Sequence, residues 1–490
     1  MKRSLLLFSH QLHPLYIQRA NLDKKTDEII FIDSQDQWTR YQFHLQRLVL
    51  HFSAVFHRIE ELKKDGWQVH LIETQTFEEA LLKFKCIICF TPTNFYERDW
   101  IQKHPYVQHL VDPLFLISPQ EWIQLLPIQK TWKLDPIYQQ FRKRFSILMN
   151  GDKPIGDRYS FDTENRQGPT KDLSFQQPIW YKPDSPTKSA MQMISKRFSN
   201  HPGKLDSFAY PVTRDQALEA LHHFLKTRLA TFGTHQDAMM QDDPWMSHSL
   251  VSSSLNIGLL SPMEVIEAAE RTYQKGIAPL AATEGFIRQI LGWREYIRGV
   301  YLVMGPDYLK VNHFQHQMPL PNFYYDAKTD MHCLKSTIQE TIDHGYNHHI
   351  QRLMVLSNYA NLAEVSPQAV NRWFNEMYID SSEWVVAANV LGMGLHADGG
   401  KMATKPYISS GAYLHKMSNY CESCPYQVKL KTGEKACPFN SLYWHYIDKK
   451  SSKLSRNPRM SMMVKVLEKM PKTEKDLLIK QAKRHLDSNR

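Results

Sequence analysis

The sequence predicts an α/β N-terminal domain with a doubly wound parallel sheet, then a long linker and a large all-α domain. Apolar β-like runs alternate with helical stretches in residues 1–118, which is typical of a parallel sheet. Prolines and polar residues interrupt this pattern over residues 119–212, and helical periodicity then extends over residues 213–448. Residues 449–490 form a basic, partly helical C-terminal extension.

Five apolar runs of the N-terminal domain are the predicted strands. They span residues 3–10, 28–34, 67–73, 86–91 and 114–117. Residues 41–64 and 76–84 show helical periodicity between them. No Gly-x-Gly-x-x-Gly follows the first run, so the sequence does not support an ordinary nicotinamide dinucleotide site.

Helix starts in the all-α domain are marked by Thr213, Ser261 and Ser366, each directly before a periodic segment. Seven prolines between residues 154 and 211, separated by polar residues, predict a connector that runs over the surface. The sequence therefore predicts two domains joined by a long surface segment.

Composition is that of a globular protein. Hydrophobic residues make up 42% and charged residues 22%, and the 12% of aromatic residues suits a helical core or the packing of a ring system. No run of about 18 apolar residues occurs, and the first apolar run, Leu5 to Phe8, is too short for a signal-peptide core. We expect a cytoplasmic, monomeric protein without a membrane span.

Most of the net charge of +10 comes from the C-terminal extension. Residues 449–490 contain 13 Lys and Arg against four Asp and Glu, a balance of +9. A basic segment of this kind binds phosphates electrostatically in some proteins and is only a solvated helix in others. The net charge by itself therefore does not predict nucleic-acid binding.

The most specific local pattern is Cys421-x2-Cys424-x12-Cys437. Two thiolates three residues apart on a turn can hold one metal, and a third returns after a loop. Cys333 is the one other cysteine of the all-α domain and is the predicted fourth ligand. Four thiolates suit either a [4Fe–4S] cluster or structural zinc, and the spacing leaves both open.

A second pair, Cys86 and Cys89, has the same separation within an apolar run. Residues three apart on a β-strand point to opposite faces, so these thiols cannot share a metal without distorting the strand. The sequence predicts that both pack inside the sheet domain.

Four segments of the all-α domain resemble, in order, the flavin-binding segments of photolyases and cryptochromes. They are the Ser-rich turn at 248–261, the Trp-Arg-Glu helix at 286–296, the His-His-x-x-Arg helix at 347–354, and residues 378–392. Further matches at 161–166, 232–239 and 405–407 extend the resemblance over essentially the whole chain. The cysteine set resembles that of the bacterial iron–sulfur branch, some members of which repair (6-4) photoproducts. The resemblance implies light-driven DNA repair, FAD in the all-α domain, and a [4Fe–4S] cluster.

The resemblance also implies which residues contact FAD. They are Ser252, Ser253, Ser254, Leu255, Arg288, Arg294, Arg352, Asp380 and Asn389. Hydroxyl and backbone N–H groups at the Ser-rich turn suit a diphosphate. An arginine–carboxylate pair beside the ring can stabilise a flavin anion.

Reversal of a (6-4) lesion needs an electron, which reduced and light-excited FAD supplies, and a proton. The resemblance implies that His349 donates this proton and that His348 packs behind it, because histidine can release a proton near neutral pH. Eukaryotic (6-4) enzymes carry a further histidine where this chain has Leu353. The proton relay is therefore expected to differ from theirs.

The flavin also needs an electron path to the surface and a pocket for an extruded nucleotide. Trp373 and Tyr325 stand where iron–sulfur relatives use aromatic relays, although a tyrosine is harder to oxidise. The implied DNA and lesion contacts are Asp162, Arg166, Asp237, Gln289, Met393, Lys405 and Tyr407. Residues 385–388 lack the glutamate that this branch often carries, which bears on the redox and metal-ion behaviour near the flavin.

In relatives the α/β domain holds a light-harvesting antenna, 6,7-dimethyl-8-ribityllumazine. His10, Gln11 and Asp33 lie at predicted strand ends, where ligands bind in such sheets, and are the predicted antenna contacts. Relatives commonly have an acidic residue at the position of His10.

Two other functions compete with repair. A cryptochrome-like blue-light photoreceptor would use the same cofactors without repair, and an iron–sulfur nucleic-acid-binding protein would lack photochemistry. His349 and Tyr407 favour repair, since a signalling protein needs no proton donor there, and the flavin segments argue against the last alternative. DNA that contains UV photoproducts is the predicted partner.

Overall fold

A five-stranded sheet forms the N-terminal part of the computed structural model, which describes residues 2–128, 131–170 and 172–489. Its strands are β1 (Ser4–Leu6), β2 (Glu28–Ser34), β3 (Gln68–Thr74), β4 (Ile87–Phe90) and β5 (Val107–Leu110). They pair in the order β3-β2-β1-β4-β5, and every pairing is parallel. The predicted doubly wound parallel sheet is confirmed, with its switch point between β1 and β4.

The two faces of the sheet bury different cores, because successive side chains on a strand point to opposite sides. Leu5 and Ile29 belong to a large core that continues into the helical part of the chain, whereas Leu6 and Ile30 belong to a smaller one. The helices of this domain are α1 (Pro14–Ala20), α2 (Gln35–Thr39), α3 (Leu45–Lys64), α4 (Phe77–Leu81) and α5 (Phe95–Gln102).

The prediction of a strand at 114–117 is wrong, and the fifth strand is β5. Leu114 and Ile117 are buried at 3% and 0% exposure, but no strand forms there. Phe115 between them lies under the guanidinium of Arg298, 3.8 Å from its ring centroid. Packing against the helical domain explains this apolar run, while β5 is a half-exposed edge strand without a clear apolar pattern.

The sequence predicts a linker that runs over the surface, and this prediction is wrong in part, because helices of the linker are buried in the main core. The linker contains α6 (Pro119–Leu125), α7 (Leu134–Phe145), the short strands β6 (Met149–Asn150) and β7 (Lys153–Pro154), and α8 (Ser185–Arg197). Trp122, Phe141 and Ile194 on these helices are buried in the main core. Pro119 and Pro186 stand in the first turns of α6 and α8, where proline favours a helix start instead of preventing it.

Helices make up nearly all of the remaining chain. They are α9 (Arg214–Thr227), α10 (Leu229–His235), α11 (Ser252–Asn256), α12 (Pro262–Gln274), α13 (Leu280–Ile287), α14 (Glu295–Met304), α15 (Phe323–Asp326), α16 (His332–His344), α17 (Asn358–Leu362), α18 (Pro367–Met377), α19 (Glu383–Ala387), α20 (Gly411–Met417), α21 (Pro438–Leu454), α22 (Ser461–Glu468) and α23 (Lys472–Ser488). Thr213 and Ser261 cap α9 and α12 in capping boxes, as their positions predict. Ser366 precedes α18 without a side-chain capping bond.

Three seven-residue π-helical segments interrupt the helices of this part of the chain. They are Arg288–Arg294, Gln351–Ser357 and Ala388–Gly394, and short 3-10 turns lie at Asp162–Glu164, Pro306–Lys310 and Tyr420–Glu422. π-helical turns are rare and occur frequently at functional sites. Each of the three falls in a segment that carries predicted flavin contacts.

The C-terminal extension folds back against the cysteine loop. Gln481 on α23 exchanges two hydrogen bonds with the backbone of Gly433, at 2.8 and 3.2 Å, and Glu474 pairs with Lys431 at 2.7 Å. The basic segment is therefore part of the fold. Within the described ranges, no helix is long and apolar enough to cross a membrane.

Candidate functional site

The carboxylate of Asp380 is the centre of a buried polar cluster. It accepts hydrogen bonds from Nη1 and Nη2 of Arg352, at 3.0 and 3.2 Å, and from the hydroxyl of Ser252 at 2.7 Å. Asn256 donates to the backbone oxygen of Asp380 at 2.8 Å. Burial opposes the charge of Arg352, but Asp380 and Tyr378 outweigh it, so the pKa of this guanidinium is raised. The fold thus joins three predicted flavin contacts, and it adds Asn256, one helical turn after Ser252.

A second part of this region is a pocket beside α11, lined by Ser254, Ser249 and Arg228 among others. Arg228 is only 2% exposed, and burial lowers its pKa to about 10. Its Nη1 donates to the backbone oxygen of His248, while its Nε has no partner among the described residues. A buried guanidinium without a carboxylate partner suits an anionic ligand such as a diphosphate. No sequence motif pointed to Arg228.

Arg288 and Arg294 do not join the Asp380 cluster. Arg288 pairs with Asp162 at 3.0 Å and with Glu284 at 3.2 Å. Arg294 pairs with Glu295 at 3.0 Å, and its guanidinium lies over the rings of Phe115 and Trp384. The remaining predicted contact, Asn389, donates to the backbone oxygen of Val385 within its own helix. The FAD contacts predicted for these three residues stay predictions.

The predicted catalytic histidines differ sharply in exposure. The side chain of His349 is 48% exposed, and its Nε2 lies 3.3 Å from the carboxylate of Asp237. His348 is 2% exposed, and its ring stacks on that of His248 with centroids 4.4 Å apart. His349 is therefore the one of the three that faces solvent.

Several predicted DNA contacts lie close to one another, and one of them, Asp237, is the partner of His349. Arg166 pairs with Asp162, and the Lys405 ammonium lies 5.3 Å from the ring centroid of Tyr407. Burial, followed by the nearby cations Arg459 and Arg166, lowers the pKa of Lys405. Burial raises the pKa of the Tyr407 phenol, and the charges of Arg459, Asp162, Arg166 and Asp237 have smaller effects on it. Gln289 and Met393 lie on two of the π-helical segments, and Arg459 was missed by the sequence.

The four predicted cysteine ligands surround one cavity. Cys333 on α16, Cys421 and Cys424 in the turn after α20, and Cys437 at the start of α21 line one small, mostly apolar pocket. All four are free thiols, and burial raises the pKa of Cys421 to about 11 and of Cys437 to about 12. Four convergent sulfurs in an apolar setting fit a tetrahedral metal or a cluster.

A chain of buried hydrogen bonds links the cysteine cavity to the Asp380 cluster. Tyr420 lines the cavity and accepts from Nε2 of Gln351 at 2.8 Å, and this amide also donates to Glu340 at 2.6 Å. Asn347 donates to Glu340 at 3.3 Å and accepts from the hydroxyl of Tyr378 at 2.8 Å. The Arg352 guanidinium lies 3.9 Å from the centroid of the Tyr378 ring. The cysteines and the arginine–carboxylate pair are thus held by one polar network.

Of the two predicted relay residues, Trp373 is buried within a group of aromatic side chains and Tyr325 is exposed. Trp373 is fully buried, and its ring centroid lies 5.8 Å from that of Tyr378 and 5.2 Å from that of Tyr324. Tyr325, the next residue, is 49% exposed. Tyr324, which the sequence did not predict, thus contacts the buried tryptophan and directly precedes the exposed Tyr325 in the chain.

The predicted antenna residues are not brought together. His10 lines a pocket between the sheet and the helical domain, where it lies 3.6 Å from Glu97. Gln11 donates to the backbone oxygen of Phe90, and Asp33 pairs with Arg197. Glu97 is 1% exposed, and burial raises its pKa to about 8. An acidic group is thus present beside His10, although another segment provides it.

Comparison with known proteins identifies the family of this chain. Residues 5–210 match the family model described as deoxyribodipyrimidine photo-lyase-related protein. A protein of Agrobacterium fabrum named (6-4) photolyase is 39% identical over 479 residues, which cover 94% of each chain. The chain belongs to the photolyase/cryptochrome family. Members of this family bind FAD, and its photolyases act on damaged DNA.

Solved structures of this family share the fold. A class III photolyase from Agrobacterium tumefaciens aligns with a TM-score of 0.56 and 15% identity, over 98% of this chain and 92% of its own. The cryptochrome of Synechocystis aligns with a TM-score of 0.56 and 13% identity, over 100% and 99% of the two chains. The parallel sheet followed by a large helical domain is therefore the photolyase/cryptochrome fold.

Proposed function

We propose that this family member is a light-driven (6-4) photolyase. The observation that carries the proposal is the position of His349. This exposed histidine lies beside Asp237. It shares a helical stretch with Arg352, which pairs with Asp380. A proton donor that solvent and DNA can reach thus lies one helical turn from the arginine–carboxylate pair. The relative named (6-4) photolyase supports the same activity.

FAD fits the residues of the helical domain. Arg352, Asp380 and Asn256 would hold the polar edge of its ring, and Arg228 and Ser254 would hold its diphosphate. When bound, reduced and excited by light, FAD supplies the electron for repair. The residues of the chain bind it, fix its orientation and keep water away.

His349 would protonate the lesion while Asp237, 3.3 Å from its Nε2, keeps its ring in place. Arg166, Lys405 and Arg459 would contact phosphates, and Tyr407, Gln289 and Met393 would line the pocket for the extruded lesion. The closeness of these cations to one another and to Tyr407 supports this assignment.

The cysteine cavity would hold a [4Fe–4S] cluster. Both the number of sulfurs, four, and their apolar surroundings suit such a cluster. Trp373, Tyr324 and Tyr325 would conduct electrons between the surface and the interior. For the antenna, the cavity lined by His10 and Glu97 would take the lumazine, with Glu97 as the acidic group that position 10 lacks.

The test is illumination of the reduced holoprotein with an oligonucleotide that carries one defined (6-4) lesion. We expect the absorbance of intact thymines to return in the light and not in the dark. A matched cyclobutane dimer should remain unrepaired. Bound flavin with no repair of either lesion would support the photoreceptor alternative, and a flavin-free protein would reject both.

A further inference from the structure

Three histidines form a compact group in the candidate site. His248 precedes α11, and its ring is parallel to that of His348, with an angle of 10° between their planes. The ring of His349 meets His248 at 74°, with centroids 5.6 Å apart. One nitrogen of each ring lies within 4.8 Å of the others. The family-like motif contains the pair His348 and His349, whereas His248 comes from a segment 100 residues earlier.

The two inner rings are buried without polar partners. His248 is 6% exposed and His348 is 2% exposed. Nε2 of His248 and both ring nitrogens of His348 have no hydrogen-bond partner in the part of the chain that the structure describes. Such atoms are costly to bury. The stack is also unsuited to a shared metal, because an imidazole binds a metal in the plane of its own ring and the two planes are parallel.

Charged neighbours favour neutral inner rings. Burial, then the nearby histidines, then Arg228 on one side and Arg352 on the other, hold the pKa of His248 and of His348 well below 6.5. The one carboxylate that contacts the group, among the described residues, is Asp237, 3.3 Å from Nε2 of His349. The carboxylate nearest to the group therefore lies at its outer ring, His349, and not at the two buried rings.

We propose that His248 is a positioning residue that confines the proton to His349. Its ring keeps the His348 ring parallel to itself, so that no inner nitrogen bonds to His349 and shares the proton. This inference rests on the proposed repair function and deepens it.

The test uses His248→Ala and His248→Phe in the full-length holoprotein, with repair measured between about pH 5.5 and 9. Alanine removes the stack and admits water to His348. The hydrated His348 ring then competes for the proton and, when charged, repels a charged His349. The alkaline limb of repair should move to lower pH by about half a unit. Phenylalanine keeps an aromatic ring in place, so its limb should coincide with the wild type.

Ring-labelled histidine NMR of the same proteins without DNA follows the loss of the His349 proton independently of repair. We expect the same downward shift in His248→Ala, and none in His248→Phe or in the exposed control His415→Ala. A wild-type protein that does not repair would reject the proposed function and leave this NMR test intact. An unchanged titration in His248→Ala, or an equal shift in His248→Phe, overturns the inference. So does loss of flavin in both variants, which would assign His248 to cofactor binding.

Discussion

The hydroxyl of Ser252 donates a 2.7 Å hydrogen bond to Asp380, which lies 128 residues further along the chain. The same carboxylate accepts hydrogen bonds from both terminal nitrogens of Arg352. One side chain therefore joins the Ser-rich turn, the histidine-bearing helix and the segment after α18. The region that resembles a flavin site depends on this junction.

Asp380→Asn should release flavin and destabilise the protein. The change leaves the guanidinium of Arg352 without its counter-charge in a buried place, which costs about 3–5 kcal/mol in comparable pairs. Flavin absorbance per mole of protein and the midpoint of urea unfolding measure the two effects. Asp307→Asn breaks the exposed pair with Lys310 and should change neither. Full flavin content in Asp380→Asn would contradict the proposed ligand role.

His349→Asn should lose repair by about 10²–10⁴-fold while flavin binding is unchanged, because a general acid of this kind contributes by that factor. Asp237→Asn should lower repair less, since it removes the neighbour of the acid and not the acid itself. Turnover under constant light measures both, with the exposed His415→Asn as the control. Repair at the wild-type rate in His349→Asn would reject it as the proton donor.

Cys421→Ser should lose the cluster and the broad brown absorbance of an iron–sulfur centre. Iron and zinc contents, measured on anaerobically purified protein, tell a [4Fe–4S] cluster from a zinc site. Cys86→Ser changes a thiol outside the cavity and should retain the full metal content. Equal metal loss in both variants would show that the cavity is not the binding place.

Glu340 should make the protein less stable as the pH rises. Burial, opposed by the amides of Gln351 and Asn347, raises the pKa of this carboxyl to about 8, whereas an exposed glutamate has a value near 4.5. The contribution to stability is thus complete below about pH 4.5 and is lost as the pH rises to about 8. Between about pH 6 and 7.5 the free energy of unfolding of the wild type should fall by about 2 kcal/mol more than that of Glu340→Gln. This follows from a slope of about 1.4 kcal/mol per pH unit.

Guanidinium unfolding at the two pH values gives this difference directly. Glutamine keeps a hydrogen-bonding group at the centre of the network and has no acid to titrate, so its curve isolates the carboxyl. Parallel pH dependence in the two proteins would show that Glu340 does not ionise over this range.

Trp373→Phe should slow photoreduction of the flavin by at least about tenfold, because phenylalanine cannot be oxidised by excited flavin at this position. Tyr324→Phe should slow it as well if the electron passes from Trp373 through Tyr324. Flavin bleaching under blue light with a reductant measures the rates. Trp444→Phe, a tryptophan on α21, is the control and should bleach normally. A normal rate in Trp373→Phe would reject the relay.

Local patterns determined much of this protein from its sequence. The alternation of apolar runs and helical stretches predicts the parallel sheet, and the capping boxes at Thr213 and Ser261 predict helix starts. The spacing of Cys421, Cys424 and Cys437 predicts their convergence. In each case the signal lies within about one helical turn, one strand or one loop, where the order of residues fixes which side chains meet.

Only the tertiary structure decided which distant residues complete these groups. His248 meets His348 from 100 residues away, Glu97 stands beside His10 although neither position predicts the other, and Arg228 carries a buried charge without any motif. The same holds for residues 114–117, whose apolar side chains are buried by the helical domain and not by a strand partner. Contacts between remote segments leave no periodic trace in the sequence, because the packing of the whole core determines them.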